Sequence, residues 1–126
     1  MLSFISCREG IIESDAFVEN VNDPVQINGN NSYTFLLNAN TFSMDVNVFP
    51  SINSSTSRIN VTVVDHQSGY AKVIIKDHDN RQRYSYFVAE DVSFHSDLID
   101  GYVPKSVNIK TENLSGKIKI ELRKTL

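Results

Sequence analysis

The stretch INVTVVDHQSGYAKVIIKDHDNRQRYSYFVAED, residues 59–91, predicts a protein built from β-strands. Apolar and polar residues alternate along residues 59–63 and again along residues 71–75. A period of two is typical of strands that bury one face. Turn-forming residues follow each segment, Gln67-Ser68-Gly69 after the first and Asp79-Asn80 after the second. The stretch therefore predicts an antiparallel meander of three strands.

The turns predict how these strands pair. A three-residue loop with Gly69 in the left-handed conformation closes a bulged hairpin, and Asp79-Asn80 suits a two-residue hairpin. The predicted pairs are Val63–Val73, Val61–Ile75, Ile75–Tyr84, Val73–Tyr86 and Ala71–Val88. All of them put apolar residues on one face, and a shift by one residue would split that face.

Similar patterns occur on both sides of the meander. Residues 32–49 predict a hairpin with Phe35 opposite Met44, and residues 106–124 predict one with Ile109 opposite Ile120. We also expect a strand in residues 1–7, a short strand near residues 25–27 and one helical turn at residues 17–21. The whole chain, residues 1–126, is predicted to be a single all-β domain. Its expected architecture is an antiparallel β-sandwich, jelly-roll or Ig-like, with roughly eight or nine short strands.

Composition excludes several classes of partner. The chain has 126 residues and a formal net charge of −3, and its lysines and arginines are scattered, which argues against nucleic-acid binding. No apolar run reaches the roughly 20 residues that a membrane-spanning helix needs.

The single cysteine, Cys7, excludes an internal disulfide. Phe4-Ile5-Ser6-Cys7 resembles the end of a bacterial lipoprotein signal, but no basic region precedes it and the segment is shorter than a complete signal peptide. The alternative is a small buried thiol near the end of a strand. The sequence leaves the localisation of the protein open: it could be a component of a particle or be exposed on a surface.

The sequence contains no constellation of catalytic residues. Asp65-His66 and Asp77-His78-Asp79 look like acid–base pairs, but the predicted register separates them by roughly 20 Å, at about 3.4 Å per residue. Both fit the role of turn residues. Serines lack a nucleophile-elbow motif, histidines and Cys7 lack the spacing of zinc ligands, and there is no phosphate-binding glycine loop. We therefore predict a protein that is not an enzyme and has no cofactor and no metal site.

One segment, KVIIKDHDNR, is similar to the strand and acidic loop of C2 domains, which are calcium- and membrane-binding β-sandwiches. The similarity covers about ten residues and implies calcium ligands at Asp77, Asp79 and Asn80. C2 domains also use aspartates from an earlier loop, and the corresponding residues 51–55 here contain no carboxylate. Calcium takes six to eight oxygen ligands, more than one turn supplies.

A long loop is predicted between Asp91 and Ser106, and long loops in compact domains are often functional. In the predicted register this loop leaves the sheet at the same end as Gln67-Ser68-Gly69. That end would gather a candidate ligand-binding set consisting of His66, Tyr70, Phe94, His95, Asp97, Asp100 and Tyr102. Aromatic rings beside carboxylates and imidazoles stack on sugars or anchor a protein partner. The alternative is that the apolar residues of this loop close one end of the sandwich.

Two functional hypotheses follow from these patterns. The first is a structural or docking subunit of a larger assembly, such as a virion, a pilus or another surface appendage, which binds a protein partner or copies of itself. The alternative is a module that binds carbohydrate or another surface ligand through the aromatic loop end. A calcium-dependent C2-like module ranks below both.

Overall fold

The computed structural model describes residues 20–125, which form a single antiparallel sheet of six strands and contain no helix. The strands are β1 (Val25–Gly29), β2 (Ser32–Val48), β3 (Thr56–Lys76), β4 (Gln82–Val88), β5 (Val92–Asp100) and β6 (Ser106–Lys124). The all-β prediction is confirmed, and β1 is the short strand predicted near residues 25–27. The strand predicted at residues 1–7 lies outside the described residues, as do Cys7 and most of the helical turn predicted at residues 17–21.

The sheet has the order β1-β2-β6-β3-β4, and β5 also pairs with β3. One edge of β3 pairs with β6 along both halves of the strand. The other edge is shared, because β5 lies against residues 56–63 and β4 against residues 71–76. Within residues 20–125, β4 and β5 are therefore both edge strands.

The hairpin of β3 and β4 has the predicted register. Its pairs are Ile75–Tyr84, Val73–Tyr86 and Ala71–Val88. At the turn, Oδ1 of Asp77 accepts hydrogen bonds from the backbone N–H groups of Asp79 at 2.9 Å and Arg81 at 3.0 Å. Asn80 takes a positive φ of 62°. The carboxylate thus holds the turn closed, as expected for aspartate in this position.

The other three predicted hairpins are wrong, because the chain continues through each predicted turn. Val63 pairs with Ile118 and Val92 instead of Val73. Phe35 pairs with Ile120 instead of Met44. Ile109 pairs with Val46 on one side and Val73 on the other instead of Ile120. Each predicted pair of short strands is one long strand, so residues 20–125 contain six strands instead of the predicted eight or nine.

Each of the three predicted turns is a local irregularity within a long strand, and the three irregularities lie side by side at the same level of the sheet. The pairing shifts register between Ala39 and Met44 on β2 and between Val64 and Tyr70 on β3. The positive-φ residues there are Thr41, Asp65, Gly69, Asn113 and Gly116. Bulges of this kind bend and twist a strand. We call this level, residues 39–44, 64–70 and 111–116, the bend line.

The bend line folds β2 back so that its two ends meet. The N–H of Asn31, directly before the strand, donates a hydrogen bond of 2.9 Å to the carbonyl of Ser51, shortly after it. A straight strand of 17 residues would separate these points by more than about 50 Å.

The ends of β3 come together in the same way. The carbonyls of Ser55 and Lys76 accept hydrogen bonds from the N–H groups of Gly101 and Lys105. Gly101 and Lys105 are four residues apart, which an extended chain covers in about 14 Å. The 21 residues of β3 are therefore bent into a U.

The side chains inside the bend form one hydrophobic core. Val61 and Val73 lie on different arms of β3, and both are fully buried members of the same cluster. The largest fully buried side chains are Tyr33, Phe35, Leu37, Ile59, Ile75, Ile99, Ile109, Leu114, Ile118, Ile120 and Leu122. They come from both arms of the bent strands and from β5.

Candidate functional site

The seven residues of the predicted ligand-binding set are distributed over three places. His66 and Tyr70 lie at the bend line, Phe94, His95 and Asp97 lie on β5, and Asp100 and Tyr102 lie at its far end. Residues 92–100 form β5, so the prediction of a long loop is wrong over this part. The nine residues of that strand extend about 30 Å from the bend line. Two of the seven, His95 and Asp97, are hydrogen bonded to each other.

Four side chains meet between β4 and β5, and we call them the Asp97 cluster. The hydroxyl of Tyr84 donates a 2.6 Å hydrogen bond to Oδ2 of Asp97. Nε2 of His95 lies 2.7 Å from the same oxygen. The imidazole of His95 stacks on the ring of Tyr86, with centroids 3.9 Å apart and planes inclined by 7°.

The fold explains why these four residues meet. Tyr84 and Tyr86 share one face of β4, and His95 and Asp97 share one face of β5, because alternate residues of a strand point the same way. The two strands lie against different arms of the bent β3. Folding at the bend line turns the two faces toward each other.

Hydrogen bonding determines the charge state of the cluster. The hydrogen bond from Tyr84, together with the contact from His95, lowers the pKa of the Asp97 carboxyl below its ordinary value, although partial burial opposes this. Burial, and then the carboxylate, raise the pKa of the Tyr84 hydroxyl. At neutral pH the phenol is therefore the donor and the carboxylate the acceptor.

This arrangement links two strands by way of one carboxylate. Both polar contacts of the cluster converge on Oδ2 of Asp97, so the carboxylate holds the imidazole and the phenol in place. The sequence analysis predicted Tyr84 and Tyr86 as inward-facing residues and missed their contact with His95 and Asp97. His95 and Asp97 are two residues apart in the sequence, and so are Tyr84 and Tyr86. This shared spacing is the signal in the sequence for the contact between the two pairs.

The acidic turn that resembles a C2 loop uses its carboxylate internally. Besides the two backbone groups on Oδ1, Asp77 accepts a 3.0 Å hydrogen bond from the guanidinium of Arg83 on Oδ2. The backbone hydrogen bond from Arg81, with further help from Arg83, lowers the pKa of Asp77. Arg83 also lies over the ring of Tyr102, 4.4 Å from its centroid. Among the described residues, no group of three or more acidic, histidine or cysteine side chains is arranged to hold a metal ion.

His66 and Tyr70 have structural contacts at the bend line. The backbone N–H of His66 donates to a carboxylate oxygen of Asp91 at 2.8 Å, and Nε2 of His66 lies 2.8 Å from the carbonyl of Gly69. The ring of Tyr70 contacts that of Phe87, with centroids 4.9 Å apart. These residues hold the bulge and the start of β5.

A groove of about 420 Å³ runs beside the bend line. Its lining includes Asp65, His66 and Lys117. Asp65 and the ammonium of Lys117 are 3.7 Å apart, and both side chains are largely exposed. An exposed pair of this kind contributes little to stability.

The outer face of β5 carries two large exposed apolar side chains. Phe94 is 63% exposed and Leu98 is 51% exposed. Ser96, between them on the same face, accepts a 3.0 Å hydrogen bond from Arg58 on β3. The outer face of β5 is therefore more apolar than an ordinary exposed strand, which normally presents polar residues to water.

Comparison with known proteins gave no match: no protein-family model fits the chain, and no curated protein and no solved structure is significantly similar to it. The described residues also contain no helix of the length and apolarity required to cross a membrane.

Proposed function

We propose that this chain is a non-enzymatic docking subunit of a larger assembly and that its docking surface is the outer face and free edge of β5. The observation that carries this proposal is the exposure of Phe94 and Leu98 on one face of an edge strand. Burying a side chain of this size is worth roughly 1.5–3 kcal/mol. Two such anchors beside an edge that pairs with no other strand among residues 20–125 are typical of a surface that pairs with another chain.

We also infer that the bent sheet is a β-sandwich whose two layers are the arms on either side of the bend line. The meeting ends of β2 and β3 and the single core shared by both arms support this arrangement. In this sandwich the long strands themselves pass from one layer to the other through bulges, which is how corners are made in orthogonal and bent β-sheets.

The contacts of the Asp97 cluster support a structural role for the polar residues. Asp97 is hydrogen bonded both to His95 on its own strand and to Tyr84 on β4, so its carboxylate joins β4 to β5.

The carbohydrate-binding alternative has less support. Tyr70 contacts Phe87, whereas Tyr102 contacts Arg83. Those two residues of β4 are four positions apart, about 14 Å of extended chain. Phe94 lies on a different strand, so the aromatic residues do not make one stacking platform.

The first experiment locates the native protein. The source is fractionated by sedimentation and the chain is quantified by mass spectrometry. Co-sedimentation with a large particle at fixed stoichiometry is expected. Recovery only as a free monomer would overturn the docking proposal.

A second experiment tests the surface itself. A photoreactive phenylalanine analogue replaces Phe94 in one variant and Phe49 in a matched control, since Phe49 is 67% exposed but lies outside β5. Irradiation in the native fraction should crosslink the position-94 variant to its partner in large excess over the position-49 variant. Equal crosslinking at both positions would refute β5 as the docking surface.

A further inference from the structure

We propose that the partner bound at β5 is a second copy of this chain, paired antiparallel strand to strand about Ser96. This inference rests on the proposed docking role of β5 and names its occupant. Two features support it. The first is the set of backbone groups on β5 that point away from β3, and the second is the set of side chains that each pairing register would bring opposite each other.

The direction of the backbone groups is fixed by two hydrogen bonds at the start of β3. Gly101 donates its N–H to the carbonyl of Ser55, and Thr125 donates its N–H to the carbonyl of Thr56. Ser55 therefore faces the β5 side and Thr56 faces the β6 side. Because directly opposed residues in antiparallel strands alternate between bonded and non-bonded pairs, residues 95, 97 and 99 direct their backbone groups toward β3.

The same alternation leaves residues 94, 96 and 98 with their N–H and C=O groups directed to the free edge of β5. A two-fold axis through Ser96 would bring these three residues of one copy opposite the same three of the other. All of the outward groups would then be paired in one continuous sheet. Isologous pairing of this kind is the commonest form of homodimer.

The side chains select this register. With Ser96 opposite Ser96, Phe94 of each copy lies opposite Leu98 of the other on the outer face. On the inner face, His95 of each copy lies opposite Asp97 of the other. The dimer would thus pack Phe94 against Leu98 twice across the seam and place imidazole against carboxylate twice.

The two neighbouring registers lack this complementarity. Shifting the partner by two residues in one direction sets His95 against His95 and leaves Phe94 opposite Ser96. Shifting it in the other direction sets Asp97 against Asp97 and leaves Leu98 opposite Ser96. Two carboxylates placed directly opposite each other destabilise a strand pair, and both shifts lose the match of imidazole with carboxylate.

The edge strand beside the other arm of β3, β4, is less suited to self-pairing. A two-fold axis through Ser85 would set Arg83 against Phe87. Arg83 already forms an ion pair of 3.0 Å with Asp77. Phe87 already packs against Tyr70. A pair of Arg83 and Phe87 offers neither the apolar contact nor the imidazole–carboxylate match that the β5 register provides.

Cysteine crosslinking tests the register in the full chain, with Cys7→Ser as the background. In the proposed dimer the two copies of residue 96 are a hydrogen-bonded pair, with Cα atoms about 5.5 Å apart. The two copies of residue 93 would be about 20 Å apart, six residues along the strand. A short bis-maleimide should therefore crosslink Ser96→Cys into a dimer roughly tenfold or more in excess of Ser93→Cys, its matched control on the same strand.

Sedimentation velocity provides the second readout, on protein without crosslinker. We expect the wild-type chain to form a species of twice its 14.2 kDa mass as concentration rises. Leu98→Lys should abolish that species, and Ile27→Lys should retain it, because Ile27 is 55% exposed on the edge strand β1, away from β5.

Each outcome is decisive for the proposed dimer. Equal crosslinking of the two cysteine variants, or dimers that survive Leu98→Lys, would overturn it, and so would a chain that stays monomeric. If the chain is monomeric in isolation yet co-sediments with a particle, the docking function stands and its partner is a different protein. If it is monomeric in isolation and free in the source, both proposals fail.

Discussion

Gly69 lies on β3 at the bend line, close against the backbone of β6, and replacing it by alanine should weaken the fold severely. Gly69 has a φ of 75°, a region that costs residues with a Cβ roughly 1–2 kcal/mol. An added Cβ would also overlap the backbone carbonyls of Glu112 and Asn113, at separations that real Cβ atoms essentially never show. Both obstacles are backbone atoms, which cannot rotate aside as a side chain could.

Gly101 supplies the matched control. Its φ is 89°, but a Cβ added there would meet no atom within 4 Å. Gly101→Ala should therefore show the conformational cost alone, about 1–2 kcal/mol. Gly69→Ala adds the overlap, which in packed interiors costs about 1–3 kcal/mol, so its total should be about 2–5 kcal/mol. Domains of this kind have roughly 5–15 kcal/mol of stability, so the variant should fold but with little reserve.

Urea unfolding followed by circular dichroism measures both effects. With an m value of about 2 kcal/mol/M, Gly101→Ala should lower the midpoint by about 0.5–1 M and Gly69→Ala by about 1–2.5 M. The slope m should stay the same in all three proteins. If the two variants have equal midpoints, β3 and β6 do not approach at the bend line as described and the continuous strands are in question.

Three further predictions concern single side chains. Thr41 is β-branched and has a φ of 49°, so Thr41→Asn should raise stability by about 1 kcal/mol, and a lower melting temperature would contradict this. Oγ of Ser57 is buried without a hydrogen-bond partner among residues 20–125, so Ser57→Ala should raise the urea midpoint, by up to about 1 kcal/mol in stability; a fall would show that the hydroxyl is bonded. Asp97 has a lowered pKa in the folded state, so as pH falls the unfolded chain takes up the proton first. The stability that its carboxylate supplies is therefore present above the unfolded pKa of about 3.9 and is lost as pH falls through the lower folded value. Urea midpoints of the wild type and Asp97→Asn should differ most at neutral pH and should begin to converge only as pH falls below about 3.9; a constant difference would refute an ionised, bonded Asp97.

The sequence predicts best where local chemistry and long-range pairing agree. The register of β3 and β4 could be predicted because the Asp79-Asn80 turn reverses the chain within a few residues, and Asp77 bonds the backbone of that same turn. The Asp97 cluster could not be predicted, since it requires β4 and β5 to face each other across the bent sheet. His95 and Asp97 were found as candidates, but their partners Tyr84 and Tyr86 come from the other arm.

The wrong hairpins have one physical cause. A bulge and a tight turn use the same residues, because both need positive φ, which Gly, Asn and Asp adopt most readily. Gly69 and Asn113 both have positive φ here, as a hairpin would require, but the chain does not reverse at either. Strands of 17, 21 and 19 residues are also much longer than the usual 3–10, so turn residues in their middle favour a prediction of two short strands.

The lengths of the strand segments on either side of the bend line distinguish one bent sheet from three separate hairpins. In each long strand the irregular residues lie near the middle, and the sheet aligns them, since Gly116 pairs with Ala39 while its neighbour Ser115 pairs with Ser68. Independent hairpins need no such match, because each turn closes only its own two strands. A sheet that bends along one line does need it, since a strand that bent at a different level would lose its partners on both sides. Three turn-like segments, each dividing a long alternating stretch into nearly equal arms, therefore favour one bent sheet over three hairpins.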